Sequence, residues 1–361
     1  YPVGCEFNPD TMRNEMVSFT DVAFSSFAID KFCHTVISSW VIGAVFVVGV
    51  SSWYLLKRRE SERELALKSL HIGAIVGLIS TILAAITGDE SAYKVAEKQP
   101  MKLAAMEALY NGERGANLTV VKLLNPFEQP DYTKNDESAM KIDIPYGLSI
   151  LGTRSLDGFV PGVNDLLNGY TKDDGTVEPS ADEKISRGKI AISALRDYRD
   201  AKSLGDVASM ERNKSLLSEN FKYFGYGYIK DKSELVPYIP INFWAFRVMV
   251  GLGSLFILFF ALILFMKWRK KDISSKRWLL WSALVMIPLA YICSESGWLV
   301  AEFGRQPWTI QDMLPVGASV SDIGPGSVAT TFFIFLGLFT TMLVVELSIM
   351  IKEIKEFKFK V

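Results

Sequence analysis

Glu295, Trp298 and Glu302 are spaced i, i+3, i+7 around the stretch GWLVAEFGRQPW. A helix would align the three as one stripe. The residues before them form a strongly apolar run, so the two carboxylates would lie on one face of a membrane helix. Such a pair favours a proton relay, a cation site or a metal ligand over packing. The alternative is structural: Glu302 pairs with Arg305 before Pro307 ends the helix, and Trp298 and Trp308 anchor the interface.

The chain has only two histidines, His34 and His71, so any histidine chemistry runs through one of them. His34 lies one turn into an apolar segment, and Met249 about two turns into another. Each has a small residue four positions on, Ser38 and Gly253, on the same helical face. Histidine and methionine facing each other at one depth, with room beside them, suit axial ligation of a haem iron. A packing methionine and an interfacial histidine are the alternative. His71, among apolar neighbours, reads as a packing residue. Lys102 and Glu107 lie five apart on an expected helix, so they point to different faces, and by themselves they read as charges on a solvated surface.

The elements that would position these groups follow from hydropathy. Of 361 residues 49% are hydrophobic, with a formal net charge of −1, and mean hydropathy is +0.20. No basic surface points to nucleic acid. Cys5, Cys33 and Cys293 stand far apart, without the C-x-x-C-H of a covalently attached haem, a cysteine zinc site or a disulfide framework. Five runs are long enough to span a bilayer, about 20 residues each: Phe32–Leu56, Leu67–Thr87, Phe243–Met266, Trp278–Val300 and Val328–Ile351. The fold expected is all-α, a polytopic helix bundle. KRRESERELALK, KWRKKDISSKR and the tail KEIKEFKFK are basic, which places them and the C-terminus in the cytoplasm and the N-terminus outside.

The organisation expected is an external segment over 1–31, two membrane helices over 32–87, an external loop over 88–239, and three helices with a cytoplasmic tail over 240–361. Within the loop, PMKLAAMEALYN reads as a helix with Pro100 at its start and Gly112 past its end. SADEKISRGKIAISALRDYRDA reads as an amphipathic helix with a capping start. The loop is too poor in apolar residues for a large independent domain and reads as ordered but adaptable. GLGSLF, inside a span, reads as a close helix-packing site rather than a phosphate loop. The start YPVGCEFNPDTM, with no initiator Met or signal segment, is expected either of a processed or divided product or of a molecule whose start is elsewhere.

KFCHTVISSWVIGAVFVVGVSSWYLLK, GDESAY, KLAAMEALY, FRVMVGLG and GWLVAEFGRQPW, in this order, resemble subunit I of the cytochrome bd quinol oxidases. The resemblance implies a haem-bearing membrane subunit that oxidises quinol at an external loop and reduces dioxygen to water, generating a membrane potential. It implies His34 and Met249 as axial ligands of a low-spin haem b, with Arg247 supporting that haem. It implies Lys102 and Glu107 in quinol binding and oxidation. It implies Glu302 as ligand of a high-spin haem, in a pair of high-spin haem b and haem d, with Trp298 beside them. The implied partners are subunit II, small single-helix accessory subunits, and a chain or segment supplying the family's first four helices, which have no counterpart here. The implied setting is the bacterial cytoplasmic (inner) membrane. Two other readings remain open from the residues alone: a haem b electron carrier without oxygen chemistry, and a transporter using the intramembrane acids.

Overall fold

The computed structural model describes residues 3–57, 60–134 and 141–356. Arg58, Arg59 and residues 357–361, part of the basic stretches counted above, lie outside the described residues, as do Tyr1 and Pro2. Five helices are long and apolar enough to cross a membrane. They are α1 (Ser26–Leu56), α2 (Arg63–Lys98), α6 (Ile239–Trp268), α7 (Arg277–Phe303) and α8 (Pro325–Glu356). Each contains the expected apolar run and extends past it. At 1.5 Å per residue, 31 residues reach about 46 Å, beyond a hydrocarbon core of about 30 Å. Three helices of the loop matter below: α3 (Pro100–Glu107), α4 (Ala181–Leu204) and α5 (Val207–Asn220). The strands among the described residues form only two-stranded pairs, so the fold is all-α.

The chain divides into two compact units. One comprises residues 40–80, 256–291 and 320–361. Its helices pack through small residues: a Cβ at Gly49 would meet Ile287, and one at Gly77 would meet the ring of Phe260. Helix α8 buries no residue against the rest of this chain.

The other unit comprises residues 1–39, 81–255 and 292–319. The loop is no thin connector within it. Its main cluster joins Ala104, Ala105 and Tyr110 to Val163, Ile185, Ile239, Phe243 and Trp308. The loop thus completes its core with residues from the start of α6 and from the GRQPW stretch, which its own sparse apolar content could not reveal. Helix α4 starts as expected: Ser180 caps it, its side chain accepting from the Glu183 N–H. Helix α3 has Pro100 at its first turn but ends earlier than expected. Ala108, with φ 47°, is the left-handed cap, and Gly112 instead packs against Phe159 and Val160. Strands β1 (Leu118–Lys122) and β2 (Lys141–Ile144) pair antiparallel, with Thr119 opposite Asp143 and Val121 opposite Ile142. Val120 is therefore a bulge.

Candidate functional site

Glu107 is the last residue of α3, and the left-handed turn at Ala108 leaves its side chain directed inward. The whole run Lys102–Glu107 is buried, which removes the solvated-surface reading of this helix. Arg247, from α6, meets the carboxylate: Nη2 to Oε2 is 2.6 Å and Nη1 to Oε1 is 3.4 Å. The guanidinium also donates to the Met106 carbonyl and, at 2.6 Å, to the Thr119 carbonyl. The Phe243 ring lies 4.0 Å from it. The bulge at Val120 leaves the Thr119 peptide groups free to turn toward the pair, and the Thr119 N–H bonds the Glu107 carboxylate. Side chains of Arg247 and Glu107 are only 10% and 2% exposed. Burial pushes the Glu107 carboxyl above its ordinary value, and Arg247 opposes the shift without cancelling it. One guanidinium donor, Nε, is buried with no hydrogen-bond partner among the described residues.

Lys102 is buried elsewhere. Its stem lies against Gly304, where a Cβ would come within 2.8 Å of it. Burial pushes its ammonium down to about 8; the positive charges of Lys31 and Arg305 add to this and Glu302 opposes it. The structure therefore does not bring Lys102 and Glu107 into one cluster. It sends Glu107 to α6 and Lys102 to the GRQPW stretch.

His34, on α1, and Thr87, on α2, are joined by a 2.9 Å contact from Nδ1 to Oγ1. The Thr87 hydroxyl also reaches the carbonyls of Leu83 (3.1 Å) and Ala84 (3.2 Å). With the Thr87 hydroxyl donating to one of these carbonyls, its oxygen accepts from a proton on Nδ1, the tautomer that leaves the Nε2 lone pair for a metal. A Cβ at Gly88 would lie 3.4 Å from the ring. Met249 is half-buried, with its sulfur close to Gly297 of α7 (3.0 Å from a Cβ there). Gly251 and Gly253 do not serve close packing as expected: a Cβ at either would meet nothing within 4 Å. That leaves open space one turn beyond Met249, which suits a flat group. No cluster of three or more His, Cys, Asp or Glu among the described residues could hold a metal ion. The donors present suit an iron already held by a macrocycle, which needs only one or two axial ligands.

Glu302 pairs with Arg305 at 2.6 Å, their side chains 35% and 45% exposed. Helix α7 ends at Phe303, so Arg305 reaches back from beyond the helix. Trp298 is 59% exposed and Glu295 is exposed as well, so the stripe faces outward on this chain. His71 sits in the span of α2 with Nε2 buried and unpartnered among the described residues. Thr87 and Thr119 were not legible as site residues. A spacing argument could have found Thr87, three turns of helix ahead of Lys98, no more than it could any other intramembrane hydroxyl; Thr119 acts through its backbone, which no side-chain pattern signals.

Residues 1–358 match the family model described as cytochrome bd terminal oxidase subunit I. The chain belongs to this family. It is 36% identical over 356 residues to cytochrome bd-II ubiquinol oxidase subunit 1 of Escherichia coli (strain K12), covering 98% of this chain and 67% of that protein. It is 27% identical to cytochrome bd ubiquinol oxidase subunit 1 of Bacillus subtilis (strain 168), covering 98% and 62%. In fold it is similar to the bd oxidase of Geobacillus thermodenitrificans, with TM-score 0.66, 21% identity, and 98% and 64% coverage. The chain thus spans about two thirds of the length of these relatives. Cytochrome bd oxidases are haem-containing, multi-subunit quinol oxidases of bacterial respiration, with a second subunit, in the inner membrane. Five apolar helices fit that setting.

Proposed function

We propose that this cytochrome bd subunit I chain carries the quinol-oxidising site of a terminal respiratory oxidase, with Glu107 as the group that takes the quinol proton. The buried Glu107–Arg247 pair carries this reading. A carboxyl raised by burial yet held by a guanidinium takes up a proton more readily than an ordinary carboxylate, as a general base requires. Arg247 fixes the carboxylate's orientation and stabilises its anionic form before it accepts the proton. Lys102, with its ammonium pushed down to about 8, hydrogen-bonds an oxygen of the quinone or semiquinone. His34 and Met249 hold a low-spin haem b, which when bound supplies one-electron acceptance. Glu302 ligates a high-spin haem of the pair that includes haem d, with Trp298 beside it, in an assembly with subunit II, accessory single-helix subunits, and the further helices that relatives have. The loop and N-terminus face outward and the C-terminus inward, so quinol protons leave outside and the protons for dioxygen reduction come from inside.

The test is quinol-dependent oxygen consumption and the absorption spectrum of the membrane-bound oxidase containing this chain. Wild type should show low-spin b and a chlorin-type band, and Glu107→Ala and Lys102→Ala should lose quinol oxidation with haem content intact. A b band alone would leave the electron carrier, and no haem the transporter. Wild-type kinetics in both variants would overturn the quinol assignment.

A further inference from the structure

Glu107 is too deeply buried to return its proton to solvent by itself, so a group between it and the outer aqueous phase is required. The register of the β1–β2 pair supplies one. Asp143 stands directly opposite Thr119, and Thr119 is the residue whose N–H bonds the Glu107 carboxylate and whose carbonyl accepts from Arg247. Opposite residues of an antiparallel pair project to the same face of the sheet. Asp143 therefore lies one strand's width, about 5 Å, beyond the residue that holds the pair.

The two oxygens of Asp143 are unlike. Oδ2 is 3.1 Å from the ammonium of Lys141, and the side chain is 19% exposed. Oδ1 is buried and has no hydrogen-bond partner among the described residues. An orphaned carboxylate oxygen is costly, and a resident water is the ordinary way to satisfy it. Asp143 is also within electrostatic reach of Glu107 and raises it. The charged groups facing this position are Lys141 on its own strand, Lys122 on β1 opposite Lys141, and the Glu107–Arg247 pair.

We infer that Asp143 is the proton relay through which Glu107 discharges to the outer face. This rests on the proposed role of Glu107 as acceptor of the quinol proton. A quinol O–H breaks and a Glu107 O–H forms. That proton then passes through a water to Oδ1 of Asp143, restoring the Glu107 carboxylate, and Asp143 releases it to solvent, restoring its own. The quinol's electrons leave separately, to the oxidase. Lys141 holds Oδ2 of Asp143 and so orients the carboxyl group, as Arg247 orients Glu107.

The experiment is steady-state oxidation of ubiquinol-1 by the intact membrane-bound oxidase carrying Asp143→Asn, Asp143→Glu or Glu107→Gln, with the haem spectrum as the check on folding. Asp143→Asn should lower kcat roughly 10- to 100-fold with KM for ubiquinol-1 unchanged, the scale of losing a positioned proton-transfer group, and should raise the solvent isotope effect. Asp143→Glu, which keeps a carboxylate, should restore most of kcat. A normal kcat in Asp143→Asn beside an impaired Glu107→Gln overturns the relay and leaves the acceptor role standing. A normal Glu107→Gln overturns the acceptor role and the relay with it. Equal losses in Asp143→Asn and Asp143→Glu, with KM altered, make the residue structural and also overturn the relay.

Discussion

Removing Arg247 should cost far more than removing the acid it holds. In Arg247→Met the Glu107 carboxylate, 2% exposed in its side chain, loses its only ion-pair partner among the described residues. The carbonyls of Met106 and Thr119 lose a charged donor at the same time. Breaking a buried pair this way costs about 3–5 kcal/mol. In Glu107→Gln the amide oxygen still accepts from Arg247, and both carbonyl bonds survive. Only the charge-assisted part of one contact is lost, about 1–2 kcal/mol by the scale of hydrogen bonds to charged groups. The double variant Arg247→Met with Glu107→Gln has no orphaned charge and should recover roughly 1–4 kcal/mol of the single Arg247 loss, as the difference of those two ranges.

The same argument fixes a pH dependence. Glu107 is raised in the folded protein, so the fold binds its proton more tightly than the unfolded chain does. Stability from this group is fully present below the ordinary carboxyl value and is lost as pH rises through the folded value. Without Arg247 only the Thr119 backbone opposes the rise, so Arg247→Met should lose stability more steeply toward neutral and alkaline pH than wild type. Denaturation in mild detergent at acidic and mildly alkaline pH measures both effects. A double variant no more stable than Arg247→Met, or a Glu107→Gln as damaging as Arg247→Met, would refute the buried-charge argument.

Three further outcomes are expected. His34→Ala and Met249→Leu should each abolish the low-spin b spectrum, and Thr87→Val, which removes the hydroxyl that meets Nδ1 of His34, should weaken haem retention by about 10- to 100-fold; unchanged spectra would remove these residues from the site. Lys102 is pushed down to about 8, so its positive charge disappears as pH rises through that value, and KM for quinol should climb across the same range in wild type but not in Lys102→Met. Glu302→Ala should lose high-spin haem features and oxygen consumption while keeping low-spin b, and vesicles with the wild-type oxidase should acidify on the loop side; normal oxygen consumption in the variant would reject the ligand, and absence of a potential would reject the proton scheme.

The five membrane helices were legible because a run of apolar residues has one physical outcome in a bilayer. Their ends were not, since α2 continues through the charged GDESAY stretch to Lys98. The cap of α4 was legible from Ser180 and Glu183, a local interaction three residues long. The end of α3 was not: Ala108 takes a left-handed conformation that alanine rarely adopts, and only the tertiary setting requires it. Burial of Lys102 and Glu107 was hidden for a related reason. Two charges five apart look solvated until Phe243, Trp308 and the strand Leu118–Lys122 are known to surround their helix, and all of these are distant in sequence. Asp143 lies farther still from any motif, because its placement depends on the register of a pair with a bulge at Val120.

The angular offset of Lys102 and Glu107, which argued against a shared role on a solvated helix, acquires a different meaning once the helix is buried. Two turns of α3 direct Glu107 to the helix that carries Met249 and Lys102 to the stretch that carries Glu302. One short, largely buried element thus touches two of the three helices proposed to hold haem ligands, without bringing its own two charges together. A carboxylate raised by burial and an ammonium lowered by it are each costly to bury, and neither cost is offset within α3 itself. Glu107 is held by Arg247 and the backbone of Thr119, and Lys102 sits within reach of Glu302 yet beside Lys31 and Arg305. Such an arrangement contributes little to stability that apolar residues would not supply better. Its presence at the junction of the loop with two membrane helices therefore fits the proposed proton and quinol chemistry better than it fits packing.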